Sequence, residues 1–470
     1  MLQRRKSTKQ NNWKSNADGF LTKHFSGDTL DYRQIISIIL PLLIDQAFLV
    51  CMNLVNTAMI SSSGVAAVSA VNMVDSLNVF LINIFIAVAT GGTVVIAQYT
   101  GRGNNKLVPK AVAGSVTAVF SIALIITLAI LAFHGPLLSV LFGDAEEAVF
   151  ANAKIYLIGS CISYCGIAVM EAVCGALRGI GETRSSLMLS LAMNFTYVIL
   201  NFVFINGMHM GVLGLVISMN IARYFAAIFA ILYLIRKNKS LNFSVSDMLG
   251  FNGPMLKRIL LIGIPFAAEQ MFFNGGKILT QTFIVGLGTL AMATNAISAS
   301  IAGLFAIPAN ALSLAIVTVV GQCMGKGDII QAKKVVRSFF VLASVSLGVM
   351  CILILPFFHV LVSLFNAPQA IVPDIFIIIL TFSITQVFLW PGSFLVPSAL
   401  RAGGDSTYTS VMSMLSMWLF RVILGYILGV VLPFGIIGVW VAMYAEWGVR
   451  GVIFMTRFRG KKWYQHRVID

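Results

Sequence analysis

The chain has 470 residues, 58% hydrophobic and only 10% charged, which excludes an ordinary soluble domain and fits a polytopic helical membrane protein. Its net charge of +15 invites a nucleic-acid reading, but the basic residues gather at the two ends and in alternate loops, so no nucleic-acid partner is expected. The six cysteines form no CxxC pair and the histidines have no ligand spacing, so neither a disulfide framework nor a metal site is expected.

In chain order, residues 1–33 read as a polar, basic tail without a signal peptide. Six apolar spans follow at about 34–60, 67–93, 109–133, 148–177, 184–207 and 211–236. A polar linker, 237–255, leads to six more at about 256–284, 291–320, 332–358, 368–399, 406–432 and 435–457. Residues 458–470 form a basic C-terminal tail. The fold class is therefore all-α, with a lobe at 34–236 and a second at 256–457. Loops after the even-numbered spans carry Arg102, Lys106, Arg178, Arg184, Lys326, Lys333 and Arg401, whereas the opposite loops carry almost no Lys or Arg. Both termini are thus expected on the cytosolic side of the cell membrane.

The two lobes are copies. Leu40-Pro41-Leu42-Leu43-Ile44-Asp45-Gln46 returns 224 residues later as Ile264-Pro265-Phe266-Ala267-Ala268-Glu269-Gln270. Gln98-Tyr99-Thr100-Gly101-Arg102-Gly103 returns as Gln322-Cys323-Met324-Gly325-Lys326-Gly327 at the same offset, read as the exit loops of spans 2 and 8. Leu177-Arg178-Gly179-Ile180-Gly181-Glu182-Thr183 returns as Leu400-Arg401-Ala402-Gly403-Gly404-Asp405-Ser406. An even number of spans per copy gives both lobes the same orientation, so their pseudo-two-fold axis runs along the membrane normal.

This set of motifs, in order and twice over, resembles the multidrug and toxic compound extrusion (MATE) family, from about Ile35 to Phe458. The resemblance implies two lobes around a central cavity and export of cationic or amphipathic compounds in exchange for H⁺ or Na⁺. It implies small-molecule substrates, organic cations first among them, and no cofactor beyond the coupling ion. A monomer in a bacterial cytoplasmic membrane is expected. The sequence departs from the family at two places. The usual Val-Asp-Thr of span 1 reads Val55-Asn56-Thr57, and the Leu-Asp pair of span 5 reads Leu200-Asn201, so two N-lobe carboxylates are amides that do not titrate.

An acid inside an apolar span is a functional-site candidate. Asp45 is the natural substitute for the missing acids, and Asn56, eleven residues on, lies within about 20° of the same helix face with Met52 between them. A structural acid beside a Pro41 kink is the competing reading. Glu269 is the counterpart of Asp45, with Gln270 beside it and Pro265 before it; Lys277, two turns on, either pairs with Glu269 or another acid, or yields its carboxylate to a cation. Asn72, Asp75 and Asn78 lie near one face of span 2 and either line the cavity or bond to a neighbouring helix. Glu171 and Arg178 suggest an ion pair or gate latch, and Arg421 and Arg223 suggest neutralisation of neighbouring acids. Glu446 and Arg450 are spaced as an i,i+4 pair. Trp390-Pro391 offers an aromatic face for cation–π binding and a helix break.

No Walker motif is present and no titrating cluster marks a membrane enzyme, so the chain is not expected to be an enzyme. The alternative is a flippase of a lipid-linked saccharide from the same superfamily.

Overall fold

The computed structural model describes residues 18–19, 21–61, 64–142, 146–236, 243, 252–432, 434–466 and 468–469. Most of the 237–255 linker and residues 1–17 of the N-terminal tail lie outside the described residues, as does the acidic Asp144-Ala145 of one loop. Among the described residues, twelve helices are long and apolar enough to cross a membrane. In hydrocarbon every backbone N–H and C=O must be satisfied within its own segment, which is why apolar runs of this length fold as helices.

The first lobe comprises α1 (Tyr32–Ser61), α2 (Val65–Gly101), α3 (Val108–Phe142), α4 (Glu147–Gly179), α5 (Thr183–Asn201, extended as a π-helical turn to Gly207) and α6 (Gly211–Arg236). The second comprises α7 (Gly253–Gly286), α8 (Thr289–Lys326), α9 (Ile329–Ile354, prolonged by short turns to Leu364) and α10. α10 runs Val372–Trp390, passes through a π-helical turn at Pro391–Leu395 and resumes as Val396–Ala402. α11 is Ser406–Ser416 with π-helical turns at Met417–Leu424 and Ile427–Val431, and α12 is Gly435–Arg459. The chain is therefore a multi-pass, two-lobed helical membrane protein. The duplication reaches the turns: among the described residues the eight positive-φ glycines fall into repeat-related pairs, Gly64 with Gly288, Gly103 with Gly327, Gly181 with Gly404 and Gly211 with Gly435.

The structure departs from the sequence reading in three respects. The segments read as exit loops after spans 2 and 8 are mostly helix, because α2 continues to Gly101 and α8 to Lys326. Their last turns are buried where the lobes cross: Gln98 Nε2 donates to the Ala402 carbonyl at 2.8 Å, and Gln322 Nε2 donates to the Gly179 carbonyl at 3.0 Å. Helical geometry satisfies backbone groups that such a crossing would otherwise strand. The N-terminal tail is not wholly solvated before residue 33. Gln331 of α9 donates to the Leu30 carbonyl at 2.7 Å and accepts from the Thr29 N–H at 2.8 Å, tying this segment to the opposite lobe. The C-terminal tail also docks, with Trp463 fully buried and its indole N–H donating to the Phe458 carbonyl.

Every described hydrogen bond between the lobes lies toward the face that carries the two tails. Besides the two glutamines, Thr318 donates to the Arg178 carbonyl at 2.9 Å and Arg258 to the Tyr99 hydroxyl. The lobes are latched together at this tail face.

Candidate functional site

In each lobe a group of polar side chains surrounds the repeated acid. In the N-lobe, α1 turns Asp45 inward to 7% exposure, and one of its carboxylate oxygens has no hydrogen-bond partner. Its polar neighbours are the Ser190 hydroxyl on α5 and the Arg178 guanidinium on α4. Arg178 also faces Glu171, seven residues earlier on the same helix, at 3.7 Å, and Glu171 is itself an electrostatic neighbour of Asp45. Two carboxyls thus share one guanidinium. α1 runs as one helix through Pro41, as α7 does through Pro265.

Farther from the tail face, Asn56 and Asn201 meet, the amide of Asn201 donating to Asn56 at 3.4 Å. The two positions where the family's acids are amides are therefore neighbours. Asn201 is fully buried and Tyr197 lies one turn away beside it; Met52 is half-buried on α1 between Asp45 and Asn56. Asp75 accepts from the Tyr156 hydroxyl at 2.7 Å and the Asn78 amide at 3.2 Å, while Asn78 also contacts Ser160 and Tyr164 of α4. Of the two readings of this face, bonding to a neighbouring helix is the one observed. Asn72 does not join it: six residues before Asn78, it sits about 120° round the helix, and its side chain is exposed. Arg223 donates to the Ser163 hydroxyl at 2.7 Å.

In the C-lobe, Glu269 is 6% exposed and both its oxygens accept from one terminal nitrogen of Arg401, at 2.8 and 2.7 Å; Ser410 adds a bond at 3.0 Å. Lys277 does not pair with Glu269. Two turns separate them by about 12 Å along α7, and Arg401 already occupies the carboxylate. Lys277 instead lies over the Phe273 ring at 4.9 Å, where Arg421 (5.5 Å) and Arg450 (5.9 Å) also converge. Glu446, fully buried, is the carboxylate of this cluster, 3.0 Å from Arg450 and 3.5 Å from Arg421. Arg421 thus neutralises an acid as expected, but it shares that acid with Arg450.

A cavity of about 230 Å³ lies beside Glu269, lined among others by Gln270, Trp390, Phe394, Arg401 and Arg450. Trp390 stacks on Phe394 at 5.3 Å. Pro391 opens a π-helical turn and does not break α10, because the turn keeps the helix continuous while shifting its face. Arg401 was legible only as part of the repeat. Its signal was its alignment with Arg178: if one repeated arginine neighbours the repeated acid, so should the other. Among the described residues no group of three or more His, Cys, Asp or Glu side chains could hold a metal ion.

Twelve spans, a latched tail face and repeat-related acid–arginine sites define a two-lobed transporter of the MATE class. The chain belongs to the MatE family, whose model matches residues 41–204 and 265–427, beginning at the repeated prolines. It is 27% identical over 436 residues to the uncharacterized transporter YisQ of Bacillus subtilis, covering 90% of this chain and 93% of that protein. It is 25% identical over 441 residues to the probable multidrug resistance protein NorM of Thermotoga maritima, covering 93% and 94%. An outward-facing multidrug resistance MATE transporter has the same fold, with a TM-score of 0.84 at 18% identity over 91% of this chain and 94% of that one.

Proposed function

We propose that the protein is a secondary active exporter that moves small amphipathic organic compounds, organic cations among them, by alternating access in exchange for inward H⁺ or Na⁺. The observation that carries this reading is the Asp45–Glu171–Arg178 group: a buried carboxyl and a half-buried one against one guanidinium, with an Asp45 oxygen left unpartnered. Such a group favours a bound cation and is costly without one. Asp45 is the coupling residue, taking the part that Asn56 and Asn201 cannot play. The tail face is the cytosolic face of the plasma membrane, as its basic loops require. Its latch then closes the cytosolic path, and the transporter works as a monomer. Relatives named for multidrug resistance support the cargo class. The C-lobe cavity of about 230 Å³ suits one small organic group better than a lipid-linked saccharide.

The test is efflux of a fluorescent amphipathic cation from proteoliposomes under an imposed pH gradient and, separately, an imposed Na⁺ gradient. One gradient should drive wild-type transport, and Asp45→Asn should abolish that dependence while leaving passive equilibration of the cargo. Absence of gradient-driven flux for any amphipathic compound would reject the exporter reading.

A further inference from the structure

The two lobes differ in the sign of their buried charge. The C-lobe sets Lys277, Arg401, Arg421 and Arg450 against Glu269 and Glu446, whereas the N-lobe sets Asp45, Asp75 and Glu171 against Arg178 and Arg223. The repeat locates the change. Glu171 aligns with Phe394, and Arg450 and Glu446 align with Ala226 and Ala222. The acid that gives the N-lobe its surplus negative charge is an aromatic ring in the C-lobe, and an arginine packs on that ring.

The cations around the C-lobe cavity are arranged as donors. Arg401 stacks on Phe266 at 3.9 Å and Arg450 on Phe394 at 4.1 Å, so both guanidinium planes are held against rings. Arg401 is 6% exposed and Arg450 only 2%, and in each the Nε–H has no acceptor. The Ser313 hydroxyl, on the same wall, has no partner either. Neither carboxylate accepts from these groups: Glu269 is committed to the terminal nitrogen of Arg401 and to Ser410, and Glu446, whose oxygens make no hydrogen bond, lies 3.0 Å from a terminal nitrogen of Arg450 and 3.5 Å from the Nε of Arg421. A buried guanidinium edge without an acceptor is costly, and a planar carboxylate matches it.

We propose that this C-lobe cavity binds an organic anion, a carboxylate on a flat aromatic body, with the carboxylate on the Arg401 and Arg450 edges and the ring against Trp390 and Phe394. An anionic member of the proposed cargo class would then contact the C-lobe through its negative group while the coupling cation occupies the N-lobe. The site goes beyond the exporter reading and requires no transport to be detected.

Binding of naphthoate, its neutral amide and naphthylmethylammonium is measured calorimetrically on the full protein in lipid nanodiscs, without any gradient. Naphthoate should bind at least about tenfold more tightly than the amide, the scale of one charge-assisted hydrogen bond, and the ammonium should bind most weakly. Arg450→Gln should erase the preference for naphthoate over the amide. Glu269→Gln, which frees Arg401, should tighten naphthoate binding. Equal binding of naphthoate and amide by the wild type, tighter binding of the ammonium, or weaker naphthoate binding in Glu269→Gln would each overturn the proposal. Naphthoate binding without gradient-driven flux of any compound would remove the exporter reading and leave this site standing.

Discussion

Gly101 lies against Gln322 so closely that a β-carbon on it would overlap the Gln322 carbonyl oxygen, and Gly325 stands in the same relation to Gln98. The two contacts are one contact repeated by the duplication, and they put backbone against backbone at the crossing of α2 and α8. Opening the tail face must separate this crossing.

Gly101→Ala therefore forces the crossing apart, since backbone cannot yield as a flexible side chain would. Cys323, fully buried beside Gln322, reports on it. In a Cys51→Ser background, which removes the exposed thiol, maleimide labelling of Cys323 should rise several-fold in Gly101→Ala. Labelling unchanged from wild type would show that this crossing does not hold the tail face shut.

The Glu269–Arg401 pair supplies a second prediction. Removing one partner of a buried ion pair leaves an uncompensated charge and costs about 3–5 kcal/mol, whereas removing both costs much less. Arg401→Met should depress the melting temperature in detergent strongly, and Glu269→Gln added to it should restore most of the loss. A double variant no more stable than Arg401→Met would mean that Arg401 acts mainly through its packing on Phe266.

The fold was legible because it rests on what a bilayer imposes: apolar length, loop charge and the repeat offset, all of which can be read residue by residue. The extra turns of α2 and α8 at their crossing were not legible, because the Gln98 and Gln322 side chains find their partners in the other lobe and no local pattern signals that. Asp45 and Glu269 stood out as acids in apolar spans. Their partners did not, because Arg401 lies 132 residues from Glu269 and only the fold brings them together. Of the acids open to Lys277, Glu269 is taken by Arg401 on α10, a partner that no pattern along α7 could show. Asn72 failed for a related reason: sharing a sequence pattern with Asp75 did not give it a neighbouring helix to face.

Glu446 supplies a third prediction. It is the carboxylate for the three cations around Phe273, two of them within ion-pair distance. Glu446→Gln should lose about 3–5 kcal/mol of stability, the cost of stranding buried charge. Arg421→Met in the same chain removes one stranded cation and should raise the melting temperature again. Differential scanning fluorimetry on the two variants decides it; a further drop on adding Arg421→Met would show that Arg421 contributes contacts unrelated to Glu446.

The Asn56–Asn201 contact yields the last prediction, because it places an amide pair where the family carries acids. Asn201 is fully buried with its side-chain oxygen unpartnered, and Asn56 faces it at 3.4 Å. Asn201→Asp installs a carboxylate beside an amide oxygen, a donor set suited to a small hard cation. A cation that binds only the folded state stabilises it in proportion to the logarithm of its concentration, by about 1.4 kcal/mol at roughly ten times its dissociation constant. The variant should therefore melt at a higher temperature in NaCl than in choline chloride of equal ionic strength, by more than wild type does. Equal Na⁺ responses in variant and wild type would mean that the two amides are a packing contact, and that the ion path through this lobe runs by Asp45 without them.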